Sequence, residues 1–163
     1  MKRWLWLALI VFVIDQITKK WVVSQFDLYE RLNVLPIFDL TLAYNTGAAF
    51  SFLADAGGWQ RWFFSGIAFF VSSIIVVWMF RLKPNEKWLA CALALVLGGA
   101  LGNLYDRMFL GHVVDFLLFY WHPYYFPAFN VADVGITIGA VFMFIDILFG
   151  PNNDEEEGQK TDK

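Results

Sequence analysis

Four aspartates interrupt otherwise apolar text: Asp15 in "VIDQITKK", Asp106 in "GNLYDR", Asp115 in "GHVVDFLLFY" and Asp133 in "FNVADVGITIG". A lone carboxylate among Val, Phe and Leu is costly unless it is paired or hydrogen-bonded, so each needs a reason. Asp106 has Arg107 beside it, and Asp15 has Lys19 at i+4, a favourable acid-before-base spacing on a helix. For these two an ion pair is the simpler reading. Neither Asp115 nor Asp133 has a basic residue within a helical turn. Asp133 follows Asn130 by three positions, the spacing of a helix-capping box with Asp in place of Glu. A cap accounts for Asn130 and leaves Asp115 unexplained. Two carboxylates brought together in low dielectric can share one proton. The ionised one then takes a proton from water while the protonated one donates to a carbonyl oxygen, a hydrolysis that needs no metal, cofactor or nucleophilic side chain. The helix dipole favours ionised Asp133 as base and leaves Asp115 as acid, although such a pair titrates as a unit.

Other chemistries lack their residues. There is no "HExxH", and His112 and His122 stand in aromatic surroundings at no recognised ligand spacing, so a zinc site is not expected. No serine sits in a "GxSxG" setting. Cys91 is the only cysteine, which excludes a disulfide within the chain.

The elements that must position these acids are membrane-sized. The 163 residues are 59% hydrophobic, 20% aromatic and only 17% charged, an apolar excess over soluble domains. Residues 62–80 and 88–105 carry no charge, and 131–149 is nearly as apolar, with Asp133 near one end and Asp146 near the other. Each is long enough to cross a hydrocarbon core of about 30 Å. The first candidate, residues 4–23, begins "WLWLALIVFVI" and then meets "DQITKK". No small-x-small cleavage site follows, so it reads as an uncleaved first helix. The expected fold is a mainly α, polytopic membrane protein of four transmembrane helices. Residues 1–150 form a single embedded domain, and 151–163 form a disordered acidic tail. The tail's "NDEEE" supplies four of the fifteen acids behind the net charge of −3; without it the body is near neutral and has no basic stripe for nucleic acid.

Basic residues crowd the turn "RLKPNEK" and the N-terminus, which places both termini in the cytoplasm and all four acids toward the outer side. In the first outer loop "FDLTLAYN" alternates with period two, as a half-buried strand does; "NTG" then turns the chain, and "AAFSF" is a candidate returning strand. A small sheet on the outer membrane surface follows. The aromatic "HPYYFP" of the second loop suits the headgroup level.

Five blocks in order, "DQITK", "NTGAAFS", "GGALGNLYDR", "GHVVDF" and "FNVAD", with four spans, give a chain that resembles the bacterial lipoprotein signal peptidases, or signal peptidase II. Only the acidic tail lies outside the resemblance. It implies an intramembrane aspartic protease of the bacterial inner membrane, with its active site toward the periplasm. Such an enzyme cleaves a prolipoprotein just before a diacylglyceryl-modified cysteine. It works without cofactor or metal, among membrane lipid, and the resemblance implies no oligomer. Carried over residue by residue, the dyad falls on Asp115 and Asp133, with Asp15, Lys19, Asn45, Asn103, Arg107 and Asn130 as supporting polar groups. On that footing, Asn103 and Arg107 share one face of the third helix and are expected to hold substrate carbonyls. Asn45 and Gly47 are expected to approach the peptide closely, and Asn130 to cap the helix that carries Asp133. Asp15 and Lys19 are expected to brace the first helix outside the reaction, and the Phe-rich second helix to wall a lipid route. Two other readings use the same acids: a small proton- or ion-coupled transport subunit, which spreads acids across the membrane depth, and a structural adaptor in which they are only caps and ion pairs.

Overall fold

The computed structural model describes residues 3–47 and 58–149. In chain order the elements are α1 (Trp4–Gln25), β1 (Arg31–Leu35), β2 (Phe38–Asn45), α2 (Trp59–Arg81), α3 (Lys87–Phe109), β3 (Val113–Trp121), β4 (Tyr124–Tyr125) and α4 (Val131–Phe149). The helices have 19 to 23 residues, about 28–35 Å at about 1.5 Å per residue. Among the described residues α2, α3 and α4 are long and apolar enough to cross a membrane. Helix α1 has the length, but its second half carries Asp15, Lys19 and Lys20.

Helix α3 is the central post, packed against α1, α2 and α4. Small residues let it take that place: Ala90, Ala94, Gly98, Gly99 and Gly102 are all buried on it. A Cβ at Gly99 would lie 2.2 Å from the Ala132 carbonyl oxygen at the start of α4. One at Gly102 would lie 2.5 Å from the Asp15 carboxylate. Close backbone approach of this kind is how helices gain van der Waals contact where lipid removes the usual hydrophobic drive. The outward faces of α2 and α4 are apolar and uncovered, with Phe69, Phe70, Ile147 and Phe149 exposed, as expected of faces that meet lipid.

The four strands form one antiparallel sheet in the order β1-β2-β3-β4. The period-two segment is strand β2, as its alternation requires. Its neighbours are β1 and β3, so Asp115 lies in a sheet strand opposite Ala43, past an irregularity between Leu40 and Ala43. The candidate returning strand "AAFSF" lies outside the described residues. Within "HPYYFP", Tyr124–Tyr125 pairs back on β3 as β4. Helix α3 ends where the Asp106 carbonyl accepts from the backbone N–H of Leu110 at 2.7 Å and of Gly111 at 3.1 Å. Gly111, at φ +88°, takes the left-handed conformation that turns the chain into β3.

The close approach at Gly99 gives a direct test. Gly99→Val should destabilise the protein by about 1–3 kcal/mol through overpacking. Gly66→Ala in α2, where a Cβ meets nothing within 4 Å, should be neutral or stabilising. Thermal unfolding in detergent reads both, and equal melting temperatures for the two variants would refute this account of α3.

Candidate active site

The site gathers where the C-terminal ends of α1 and α3, the start of α4 and strand β3 converge. Asn130 is fully buried at the mouth of α4. Its Oδ1 accepts from the Asp133 backbone N–H at 3.0 Å, and its own backbone N–H donates to Asp133 Oδ2 at 3.2 Å. This is the reciprocal capping box that the spacing suggests. The Asn130 side chain also reaches across to β3: Nδ2 donates to Asp115 Oδ1 at 2.6 Å and lies 3.2 Å from the Val114 carbonyl. One residue therefore holds both carboxyl groups. Asp115 is 3% exposed, and its second oxygen accepts from Asn45 Nδ2 at 3.1 Å. Asp133 is less buried, and its Oδ1 accepts from Asn103 Nδ2 at 2.8 Å.

Burial pushes the Asp115 carboxyl up to about 7, and the neighbouring Asp133 charge pushes it the same way. Hydrogen bonds from Asn45 and Asn130 and the Lys19 charge oppose the rise. Burial among apolar neighbours thus favours the protonated form of Asp115.

Beneath the pair lies a buried charge cluster. Lys19 Nζ is 2.8 Å from Asp15 Oδ2 and 2.8 Å from Asp106 Oδ2, and donates to Asn103 Oδ1 at 3.0 Å. The Asp15–Lys19 pair is the expected one. Asp106 departs from expectation: its partner is Lys19 on another helix, not the adjacent Arg107, because neighbours on a helix point about 100° apart. Asp106 also accepts from the Val114 backbone N–H at 3.2 Å, which pins the residue before Asp115. Asp15 does more than brace α1, since its Oδ1 accepts from the Ala132 backbone N–H at 2.9 Å. It thereby satisfies an orphan donor in the first turn of α4. Gln16, which the sequence reading passed over, donates to Asp106 Oδ1 at 2.9 Å. Its only signal was its place next to Asp15.

Arg107 donates to the Gly47 carbonyl at 3.0 Å and to the Asn103 carbonyl at 3.3 Å, and lies over the Phe64 ring. Asn45 Oδ1 accepts from the Gly47 backbone N–H at 3.0 Å. Asn45 and Gly47 thus stand with Arg107 at the rim, where approach to a peptide was expected. Asn103 differs: its amide is engaged with Lys19, Asn130 and Asp133, so it orders the acids more than it reaches outward. His112 stacks on Tyr44 with ring centroids 4.0 Å apart, and His122 lies beside Tyr120 and Tyr125.

Both acids border one cavity of about 520 Å³, together with Asn45, Asn103 and Arg107. Its apolar side is made by residues 126–129 and by Val134, Ile136 and Ile138 of α4. Helix α2 contributes none of this cavity's lining among the described residues; its buried face is turned to α3.

The cluster makes Lys19 a sensitive position. Lys19→Met would strand two buried carboxylates, and breaking a buried pair costs about 3–5 kcal/mol. Thermal unfolding should show a large loss of stability, and an unchanged melting temperature would mean that the cluster does not hold α1 to α3.

Comparison with known proteins agrees with this geometry. The family described as signal peptidase (SPase) II matches residues 7–149. The lipoprotein signal peptidase of Pseudomonas paraeruginosa is 58% identical over 154 residues, 93% of this chain and 91% of that protein. That of Pseudomonas fluorescens strain Pf0-1 is 60% identical over 146 residues, 88% of this chain and 86% of the relative. The fold is similar to a bacterial membrane enzyme solved by the in meso method at 2.3 Å resolution. The TM-score is 0.79 at 30% identity, covering 91% of this chain and 88% of that one. With the match running from the first helix to the end of the fourth, the chain belongs to the signal peptidase II family.

Proposed function

We propose that this protein is a membrane aspartic endopeptidase that removes the signal peptide of prolipoproteins, cutting before the diacylglyceryl-modified cysteine, with Asp115 and Asp133 as its catalytic dyad. The observation that carries the dyad is that Asn130 hydrogen-bonds both carboxyl groups at the edge of a single cavity. In the reaction the ionised Asp133 takes a proton from a water molecule, whose oxygen attacks the scissile carbonyl carbon. Asp115 gives its proton to the carbonyl oxygen, forming a gem-diol. Collapse of that intermediate breaks the C–N bond as a proton passes to the leaving amine, and the dyad returns to its starting charge. Asn45 and Asn130 stabilise the Asp115 carboxylate when it forms, and Asn103 and the α4 dipole stabilise Asp133. Arg107, Asn45 and Gly47 are placed to receive the extended peptide at the rim. The apolar side of the cavity, residues 126–129 with α4, suits the acyl chains of the modified cysteine.

The chain crosses the membrane four times, α1 included, with the polar half of α1 shielded by α3. Lys2, Arg3, Arg81, Lys83 and Lys87 at one end support cytoplasmic termini in the inner membrane and a site facing the periplasm. Residues 151–163 form an acidic cytoplasmic tail, and the unit acts as a single domain. Acids gathered at one end favour this reading over a proton- or ion-coupled transport subunit, which needs them along a path through the bilayer.

Asp115→Asn and Asp133→Asn should each abolish cleavage of a diacylglyceryl-modified precursor while the protein still accumulates in membranes. Turnover retained by either variant removes that residue from the dyad. Activity should depend on pH as a bell. Because the Asp115 carboxyl is raised to about 7, its donating form is lost as pH rises through that value. On the acidic side a pair that shares one proton takes up a second and has no base left. A kcat that climbs steadily through pH 8 would exclude a shared proton.

A further inference from the structure

A second cavity lies at the opposite end of the bundle, away from the four acids, between the first turns of α1 and α3. It measures about 690 Å³ and is bordered by Arg3, Trp4, Leu7, Ile10, Lys87 and Cys91, with Trp6 and Trp88 at its sides. Its lining among the described residues holds two cations and no acid. The nearest acid in sequence, Glu86, accepts instead from the Lys83 backbone N–H in the α2–α3 turn. The N-terminal ends of α1 and α3 both open here, which brings their positive dipole ends to the same mouth. No side-chain cap hydrogen bond closes either helix start. The Trp4 indole Nε1 is buried without a hydrogen-bond partner. From Arg3 to Ile10 the cleft is apolar for about 10 Å along α1.

A cationic mouth flanked by tryptophans above an apolar trench has the polarity of a phospholipid, head outward and chain inward. We propose that this cleft binds one anionic phospholipid, its phosphate between Arg3 and Lys87 and one acyl chain along Leu7, Ile10 and Cys91. The bound lipid would tie the start of α1 to α3 at the end where the buried charge cluster does not reach. This site is independent of the catalytic reading.

The test is native mass spectrometry of the full chain, delipidated in detergent, with added phosphatidylglycerol or phosphatidylcholine of the same acyl chains. One equivalent of phosphatidylglycerol should be retained in preference to phosphatidylcholine. The Arg3→Gln/Lys87→Gln double variant should bind phosphatidylglycerol about thirtyfold more weakly. Cys91→Phe, which fills the trench and keeps both charges, should lose the adduct as well. Equal retention of the two lipids, or undiminished phosphatidylglycerol binding by the double variant, overturns the proposal in favour of ordinary lipid contact. Uptake only after removal of residues 151–163 would assign the cleft to the chain's own acidic tail and overturn it equally.

Discussion

A carboxyl group taken out of water must be given donors, and at this site most donors are amides fixed by secondary structure. Asn130 supplies them to two acids at once: its side chain reaches Asp115 on β3 and its backbone N–H reaches Asp133 on α4. That arrangement sets the register of β3 against α4, because the Phe116 and Leu117 N–H groups also donate to the Phe129 carbonyl just before the helix begins. The strand can slide only by abandoning the acid it carries. Asn45 then closes the far side of Asp115 from β2, so three separate elements define the environment of one carboxyl group.

The second tier explains why polar residues occur in helices bound for lipid. Lys19 neutralises Asp15 and Asp106 together, and those two acids also accept from the backbone N–H groups of Ala132 and Val114. Each of those residues immediately precedes one of the two acids that border the cavity. The cluster is therefore a brace for both acids as well as a bond between α1 and α3. The glycines of α3 serve the same end: any side chain at Gly102 would displace the Asp15 carboxylate.

Asymmetry between the two acids follows from their settings. Asp115 sits in a strand whose neighbours Val113, Val114 and Phe116 are buried, and is itself almost wholly removed from water. Asp133 occupies the first turn of a helix, at the positive end of its dipole and at the edge of the cavity. Burial thereby favours the protonated form of Asp115, while Asp133 stands at a helix start on the cavity edge.

Much of this was legible in the chain itself. Hydropathy and length marked the helices, period-two alternation marked β2, and the three-residue spacing of Asn130 and Asp133 marked a capping box, since all of these are local regularities of the backbone. The family blocks pointed to the supporting asparagines and to Arg107. Local text could not supply partners across the fold. Arg107 stands next to Asp106 in the chain, yet Lys19, eighty-seven positions away, neutralises it, because helical neighbours diverge while packed helices bring distant positions together. Nor could local text say that residues 126–129 and α4 would form the apolar side of the cavity beside the acids. Sequence determined which residues were too polar for their surroundings; tertiary packing alone decided which of them would meet at one asparagine beside one cavity, since that depends on distances no local pattern encodes.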